Sequence, residues 1–195
     1  MKTADTKNRI LEAGLKLFSR KGYLGATTRE IAKQAGVAEV TLFRYFPSKE
    51  KLFEEMILTY SFLPALRGLL VEVRGMEYRD ALSEIASRFL ERLYERRDLI
   101  RIMHSEMYHY PSKVKIIYHN FIDEMVRTLA SYFKELQGMS VLKDFSAEIG
   151  ARAFLGMLFS YFNAQQNLLK KKMGRVEKDR IVAGFVEIFI GGTAK

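Results

Sequence analysis

The sequence contains no cysteine, no tryptophan and only three prolines in 195 residues. The lack of cysteine excludes disulfide bonds, thiolate metal sites and cysteine nucleophiles. Long hydrophobic runs are also absent, because the longest stretch without a charged side chain, Ala153–Leu169, includes two asparagines and two glutamines. A membrane-spanning helix needs about 20 mostly apolar residues, and the charged N-terminus has no apolar run of signal-peptide length. We therefore expect a cytoplasmic protein without a membrane partner.

Signals for β-structure and for common catalytic sites are missing as well. No Asn-Gly or Asp-Gly pair separates alternating segments, and the residue types that favour helices dominate. The sequence therefore predicts an all-α fold. It contains no G-x-S-x-G, phosphate-loop, G-x-G-x-x-G or H-E-x-x-H pattern. We expect no enzyme, no cofactor, no catalytic residue and no metal site; a helical enzyme with an apolar pocket is an alternative left open.

The chain carries more basic than acidic side chains. It holds 32 Lys and Arg against 23 Asp and Glu, which gives a formal net charge of +9. The first 60 residues hold 11 basic and 7 acidic residues, so the positive excess is about twice as dense there as in the rest. An excess of this sign predicts an anionic partner.

Two helices of the N-terminal third are predicted from apolar spacing and caps. The first ends near Gly22, which suits the position after a helix. A later helix can be capped by Ser48 and is predicted to end near Pro64. The apolar stripe of the first helix follows helical spacing and consists of Ile10, Ala13, Gly14, Leu17 and Phe18.

Between these two helices the sequence has the spacing of a helix-turn-helix unit. Thr27 and Glu30 have the pattern of a capping box that begins a short helix. Gly36 ends that helix after about two turns and permits a sharp turn. A second short helix is predicted at about residues 38–46, directly before a proline. Two short helices joined by a glycine turn indicate helix-turn-helix.

The second short helix is predicted to keep two aromatic side chains on its outer side. Leu42 and Phe46 are four residues apart and face the small core, which leaves Phe43 and Tyr45 nearer the outside. Exposed aromatic side chains suit contact with sugar and phosphate, or with a thymine methyl group. The pattern therefore favours DNA binding over its alternative, a plain helical core with turn glycines.

Two segments carry a resemblance to a known family. The segments are residues 26–37, ATTREIAKQAGV, and residues 41–53, TLFRYFPSKEKLF, and the pair Gly22-Tyr23 shortly before them belongs to the same run. This run closely resembles the N-terminal domain of the TetR (tetracycline repressor)/AcrR family of bacterial transcriptional regulators. The resemblance covers about residues 8–55, with almost every landmark in register.

The resemblance implies a dimeric, ligand-responsive DNA-binding regulator. Residues 4–64 would form a three-helix head with its helix-turn-helix motif at 27–46, and residues 65–195 a larger helical regulatory and dimerisation domain. The expected partners are a double-stranded DNA operator, a second copy of the chain and an unidentified small-molecule effector. A small apolar or amphipathic molecule would release a repressor of this kind from a near-palindromic operator. The alternative is a helical small-molecule-binding or scaffolding protein whose head no longer reads specific DNA.

The family's motif assigns the DNA contacts of the head to particular positions. Three residues are expected to bind phosphate, and they are Thr28, Tyr45 and Lys49. Seven further residues are candidates for contacts in the groove, and they are Arg29, Ala38, Glu39, Val40, Thr41, Phe43 and Arg44.

The head departs from the family pattern at Ala38, Val40 and Phe43, and a small residue such as Gly is common where Val40 stands. Ala38 stands where a capping Ser or Thr is frequent, which costs about 1 kcal/mol of helix capping. Phe43 stands where Tyr is common, so it has no hydroxyl for a phosphate. Glu39 either accepts a hydrogen bond from a cytosine amino group or repels phosphate and sharpens selectivity. It can equally be an exposed first-turn glutamate that favours the helix dipole.

Beyond Pro64 the sequence is helical and has no recognisable motif. Helices are predicted at about 77–96, 98–109, 112–137, 146–172 and 176–190. The last two carry more apolar residues than one subunit core needs, and a four-helix dimer interface would use the excess. The alternative is that all of these residues are core. The interface candidates are Phe154, Leu158, Phe159, Phe162, Ile181, Phe185, Ile188 and Phe189.

A ligand pocket is expected in the same part of the chain. Pliable methionines and aromatic side chains with polar tips are typical of apolar pockets with a few placed polar groups. Ordinary core positions are the alternative for each of these residues. The pocket candidates are Met103, Met107, Tyr108, Phe121, Met125, Met157 and Tyr161.

Overall fold

The structure is a computed structural model that describes residues 2–97, 100, 111–169 and 174–195. In these ranges the regular structure is helical apart from one isolated antiparallel bridge between Leu142 and Ala194. The prediction of an all-α fold is therefore confirmed. The helices are α1 (Lys2–Gly25), α2 (Thr28–Ala35), α3 (Glu39–Tyr45), α4 (Lys49–Tyr60), α5 (Leu63–Glu72), α6 (Tyr78–Glu95), α7 (Ser112–Gly138), α8 (Ala147–Asn163) and α9 (Arg175–Thr193).

The chain forms two compact units. One unit comprises Met1–Ser61 and Arg96–Phe121, and the other comprises Phe62–Glu95 and Ile122–Lys195. The first unit contains the whole predicted helix-turn-helix segment. The domain division at residue 64 stays a prediction. None of the helices in the described ranges combines the length and hydrophobicity that crossing a bilayer requires.

The core of the first unit is built on the apolar stripe of α1, all of which is buried as predicted. Phe18 stacks on Tyr23 with 5.7 Å between ring centroids, and both rings contact Phe53 of α4 edge-on, at 5.3 and 5.0 Å. Gly22 has a positive φ of 70° as its position suggests, but the helical assignment continues past this kink to Gly25. These contacts pack α1 against α4.

The helix-turn-helix segment has the caps that the sequence predicts. The Thr27 hydroxyl accepts from the Glu30 amide at 3.2 Å, and the Glu30 carboxylate accepts from the Thr27 amide at 3.3 Å. Gly36 ends α2 in the left-handed conformation, with φ 67° and ψ 38°. Ala38 precedes α3 without a side-chain cap, as expected from its lack of a hydroxyl.

Helices α4 and α5 differ from the prediction of one helix that ends near Pro64. The Ser48 hydroxyl caps α4 by accepting from the Lys51 amide at 3.1 Å, as predicted. However, α4 ends at Tyr60, and Pro64 lies in the first turn of α5. A proline fits there because the first amides of a helix have no intrahelical acceptor. A proline can end or start a helix, and the sequence prediction ended one near Pro64 without starting another there, so it missed α5.

The second unit has an aromatic core formed by three helices. Phe189 of α9 contacts Phe133 of α7 at 5.7 Å and Phe154 of α8 at 5.0 Å between ring centroids. The predicted helices 77–96, 112–137 and 176–190 agree with α6, α7 and α9. The predicted helix 146–172 is α-helical only to Asn163 and continues as a π-helical turn, Ala164–Leu168. The predicted helix 98–109 lies outside the described residues, apart from residue 100.

A buried hydrogen bond joins the start of α6 to the end of α9 in this unit. The hydroxyl oxygens of Tyr78 and Thr193 are 3.1 Å apart, and Thr193 donates its own proton to the Phe189 carbonyl at 2.7 Å. Since a threonine hydroxyl has one proton, Tyr78 must be the donor to Thr193. Burial raises the pKa of Tyr78 to about 12, which keeps this donor protonated.

Candidate nucleic-acid interface

Helix α3 presents an exposed face that is partly apolar. Leu42 is the only buried residue of α3, and Phe46, which directly follows the last residue of the helix, is buried as well. On the other side, Val40 is 77% exposed and Phe43 is 43% exposed, beside the exposed side chain of Arg44. Two exposed apolar side chains on a seven-residue helix have no role in the core of this unit, so the face is free to contact a partner.

The residues predicted to contact DNA are all at the surface of the first unit. None of them is buried, and most lie on α3 or at the start of the helices on either side of it. The structure therefore brings them together around one short helix. The exposed members are Arg29, Ala38, Val40, Phe43 and Arg44, and the partly buried members are Thr28, Glu39, Thr41, Tyr45 and Lys49.

Arg9 of α1 fixes the turn between α2 and α3. Its Nε donates to the carbonyl oxygen of Ala35 at 3.1 Å, and its Nη2 donates to the carbonyl oxygen of Gly36 at 3.1 Å. These are carbonyls at the end of α2, where positive charge is favourable. Sequence reasoning missed Arg9, because its partners are backbone atoms 26 and 27 residues away and no local motif marks them.

The first residues of α2 and α3 are joined by a side-chain hydrogen bond. The hydroxyl of Thr28 donates to Oε1 of Glu39 at 2.7 Å in a part-buried position. Because both residues begin a helix, the carboxylate lies where helix dipoles favour a negative charge. Both of these residues are predicted DNA contacts, and the structure shows that they contact each other.

Lys49, the first residue of α4, is held over an aromatic ring. Its Nζ is 4.5 Å from the centroid of the Tyr23 ring. Partial burial lowers the pKa of Lys49, and the nearby Glu50 carboxylate opposes that shift. The pKa of Tyr23 is raised, chiefly by burial and then by Glu50. The ring fixes the position of the ammonium group at a helix N-terminus, which itself favours anions.

The cations of this surface fall into two groups. Lys21 and Lys51 form ion pairs, with Glu30 at 2.6 Å and with Glu54 at 2.7 Å. Arg29 and Arg44 form no ion pair with any residue that the structure describes. Arg44 instead lies 5.8 Å from the centroid of the Tyr45 ring. The two arginines therefore keep their full charge for an anionic partner.

The exposed helix α3 is joined to the short helix α2 by a glycine turn, and α1 supports both. This arrangement defines a DNA-binding protein of the helix-turn-helix class. Residues 10–56 match the family model described as bacterial regulatory proteins, tetR family. Residues 80–192 match the model described as AefR-like transcriptional repressor, C-terminal domain. The chain belongs to the TetR family of bacterial transcriptional regulators.

A curated relative agrees with this assignment, and two solved structures share the fold. The chain is 32% identical over 158 residues to YvkB of Bacillus subtilis (strain 168), an uncharacterized HTH-type transcriptional regulator, across 80% of this chain and 81% of YvkB. A protein of Mesorhizobium loti MAFF303099 assigned to the TetR family shares the fold over 100% of both chains, with a TM-score of 0.82 and 23% identity. FadR of Bacillus subtilis, solved in complex with stearoyl-CoA, shares it with a TM-score of 0.75 and 16% identity over 94% of this chain and 97% of FadR.

The predicted pocket residues are only partly within the described ranges. Met103, Met107 and Tyr108 lie outside them. Phe121 and Met125 are buried in α7, and Met157 and Tyr161 are half-buried in α8. The Tyr161 hydroxyl donates to the Glu177 carboxylate at 2.9 Å. Burial, followed by this carboxylate, raises the pKa of Tyr161 to about 12.

The predicted interface residues divide into buried and accessible ones. Ile188 is 69% exposed, and Phe159, Ile181 and Phe185 are half-buried. The other four are already buried by the chain itself, and they are Phe154, Leu158, Phe162 and Phe189.

The exposed faces of α8 and α9 also carry small residues that the sequence reading passed over. The sequence prediction names bulky apolar side chains, whereas several exposed positions of these helices are alanine or glycine. They lie three or four residues from one another or from Ile149 and Ile188, a spacing that could have identified them. They are Ala153 and Gly156 on α8, and Gly184, Gly191 and Gly192 on α9.

Proposed function

We propose that this chain is a dimeric repressor that binds a near-palindromic operator in double-stranded DNA and is released by a small apolar or amphipathic effector. The observation that carries the proposal is the exposed face of α3, on which Val40, Phe43 and Arg44 have no role in the core. Two such helices in one dimer would enter successive major grooves about 34 Å apart. Because operator binding takes place on the chromosome, this function belongs in the cytoplasm.

The head would divide its contacts between the DNA backbone and the bases. Tyr45 and Lys49 bind phosphate, and the ammonium group of Lys49 is already positioned by Tyr23. Phosphate contacts supply affinity and register but carry no sequence information. Sequence preference comes from base contacts of Arg29 and of the side chains of residues 38–44.

The dimer would form through α8 and α9. Gly156 and Gly184 lie inside these helices, where each costs about 0.5–1 kcal/mol relative to alanine. A Cβ added at either position would meet nothing within 4 Å, so the packing of the described chain gives no reason for glycine. The close approach of a partner helix would supply one, and the exposed side chains of Ile149 and Ile188 would then be covered.

The effector would bind in the second unit. Met125 and Met157 offer adaptable apolar surface, and Tyr161 with Glu177 offers a polar end. An apolar lining with a few polar groups suits an amphipathic molecule. The stearoyl-CoA bound in FadR, a protein of the same fold, supports this class of ligand.

Selection of bound duplexes from a random pool tests the DNA-binding part of the proposal. The expected result is a near-palindrome whose half-sites are about 10 base pairs apart, centre to centre. Enrichment without a motif would contradict operator recognition and favour the alternative of a helical small-molecule-binding or scaffolding protein.

Linkage tests the release mechanism separately. An effector that weakens operator binding by some factor must itself bind the operator complex more weakly by the same factor. Calorimetry of an acyl-CoA or fatty-acid ligand, with and without the selected operator, measures both affinities. Equal effector affinity in the two titrations would contradict release by that ligand.

A further inference from the structure

The hydrogen bond between Thr28 and Glu39 restricts what each side chain can do. A threonine hydroxyl has a single proton to donate, and Thr28 gives it to Oε1 of Glu39 at 2.7 Å. Phosphate oxygens can only accept. In this arrangement Thr28 therefore has no proton left for a DNA phosphate, and its remaining capacity is that of an acceptor.

The carboxylate of Glu39 keeps one oxygen for another partner. Oε2 accepts no hydrogen bond from the residues that the structure describes, whereas Oε1 is fixed by Thr28. Glu39 is only partly buried and precedes Val40, which is 77% exposed. The second oxygen is thus left for a partner outside the described chain, and the bond to Thr28 restricts the rotamers that the Glu39 side chain can adopt.

A carboxylate in the major groove can accept from few base atoms. The donors there are the amino groups of cytosine and adenine, whereas guanine and thymine present acceptors. In adenine the acceptor N7 lies next to the amino group and repels a second negative oxygen. Cytosine has no acceptor beside its amino group on that edge, so cytosine is the base that a fixed glutamate favours.

We propose that Thr28 is a positioning residue that holds Glu39 so that its free oxygen accepts from the amino group of a cytosine in each half-site. This inference rests on the proposed operator recognition and specifies one position of it. A carboxylate that meets guanine or thymine is desolvated without a donor, and one that meets adenine also faces the N7 acceptor, so mismatched sites are penalised.

The test compares variants on four duplexes that differ only at the base pair facing Glu39 in the selected operator. For the wild type, fluorescence anisotropy at fixed salt is expected to give about five- to tenfold tighter binding to the cytosine duplex. Thr28→Val keeps the shape of the side chain but removes its donor. This variant should lose most of that preference and keep the salt dependence of binding. Thr28→Ser, which retains a donor, should behave like the wild type.

Two glutamate variants keep the proposal testable even if Thr28→Val folds poorly. Glu39→Ala should bind the four duplexes about equally, and adding Thr28→Val to it should change nothing further. Glu39→Gln can still accept from Thr28 but now offers an amide donor as well, so its preference should move from cytosine to adenine. A Glu39→Gln variant with unchanged preference would overturn the inference.

The salt dependence separates this role from the alternative one. If Thr28→Val weakens all four duplexes equally and the logarithmic salt slope falls by about one, Thr28 binds a phosphate and the inference is wrong. If the affinity of the wild type does not depend on the base pair at any position of the operator, the proposed operator recognition fails as well. A wild type with a sequence preference elsewhere, but none at this base pair, overturns only the inference about Glu39.

Discussion

Nη2 of Arg9 donates to the Gly36 carbonyl and also occupies the space in front of the Gly36 Cα. The hydrogen bond is 3.1 Å long, and a Cβ added at Gly36 would lie only 3.0 Å from the same nitrogen. Two requirements therefore meet at one turn, since the backbone there has a positive φ and an added Cβ would press against the guanidinium. This pair fixes the angle at which α3 leaves α2.

Replacing Arg9 by methionine should loosen the turn while keeping the apolar part of the side chain. The three hydrogen bonds that this charged side chain donates to the carbonyls of Ala35 and Gly36 are lost, so we expect Arg9→Met to lower the free energy of unfolding by about 1–3 kcal/mol. Urea unfolding followed by circular dichroism measures this. The control is Lys16→Met on the exposed side of α1, expected to change stability by less than about 0.5 kcal/mol. Equal effects of the two substitutions would contradict the role of Arg9.

Adding one methyl group at Gly36 should also destabilise the head. Gly36→Ala forces a side chain into φ +67° and against Arg9, which we expect to cost about 1–2 kcal/mol. The matched control is Gly68→Ala in α5, where the added Cβ meets nothing within 4 Å and helix propensity predicts a gain of about 0.5–1 kcal/mol. Thermal unfolding of the two variants should thus shift in opposite directions. A Gly36→Ala variant as stable as the wild type would refute the strain.

Local signals account for the parts of this fold that the sequence predicts correctly. The capping box at Thr27 and Glu30, the left-handed Gly36 and the Ser48 cap each act within four residues, so their pattern is visible in the chain. Arg9 and the pair Thr28–Glu39 act across 26 and 11 residues. Contacts of that kind depend on how the helices pack, and no spacing rule predicts them.

The missed helix α5 and the interface candidates illustrate a different limit. Pro64 is compatible with either end of a helix, and the structure places it in a first turn. Likewise, the apolar residues of α8 and α9 have the same spacing whether they serve the core or a partner. Burial separates them, since Phe154 is fully buried whereas Ile188 is 69% exposed.

Removing the charge at Lys49 should weaken DNA binding without changing its sequence preference. The ammonium group stands at the start of α4 over the Tyr23 ring, so Lys49→Gln should reduce the slope of log affinity against log salt by about one. The control, Lys51→Gln, removes an equal charge two residues away, but this charge is paired with Glu54. Anisotropy titrations at several salt concentrations distinguish them. Identical slopes for wild type and Lys49→Gln would remove Lys49 from the phosphate contacts.

Tyr78 should make the stability of the second unit sensitive to alkaline pH. Burial raises the pKa of Tyr78 to about 12 in the folded chain, from its ordinary value of 10.0. Because the pKa is higher in the folded chain, the contribution of Tyr78 to the free energy of unfolding is complete below about pH 10 and is lost as the pH rises towards 12. At pH 8, Tyr78→Phe should cost about 1 kcal/mol through the lost bond to Thr193. At pH 11 this cost should shrink, and urea midpoints at both pH values measure the difference. A cost that is the same at pH 8 and pH 11 would contradict burial of the titrating hydroxyl.

A long polar side chain at Gly184 should separate the proposed dimer without harming the subunit. The added Cβ has open space within its own chain, and glutamine favours a helix, so Gly184→Gln should be at least as stable as the wild type. A partner helix packed against that face would have no room for the new side chain. Sedimentation equilibrium should therefore show a monomer, and the affinity for the full palindrome should fall towards that for a half-site.

Gly68→Gln is the control for this experiment, because Gly68 is also exposed within a helix and also has nothing within 4 Å of an added Cβ. It lies on α5, outside the proposed interface, so the variant should sediment as the wild type does. If Gly184→Gln dimerises with an unchanged dissociation constant, the face formed by Ile149, Gly156, Gly184 and Ile188 is not the dimer interface. The glycines of α8 and α9 would then have no explanation in subunit contacts, and the partner surface would have to be sought on other helices.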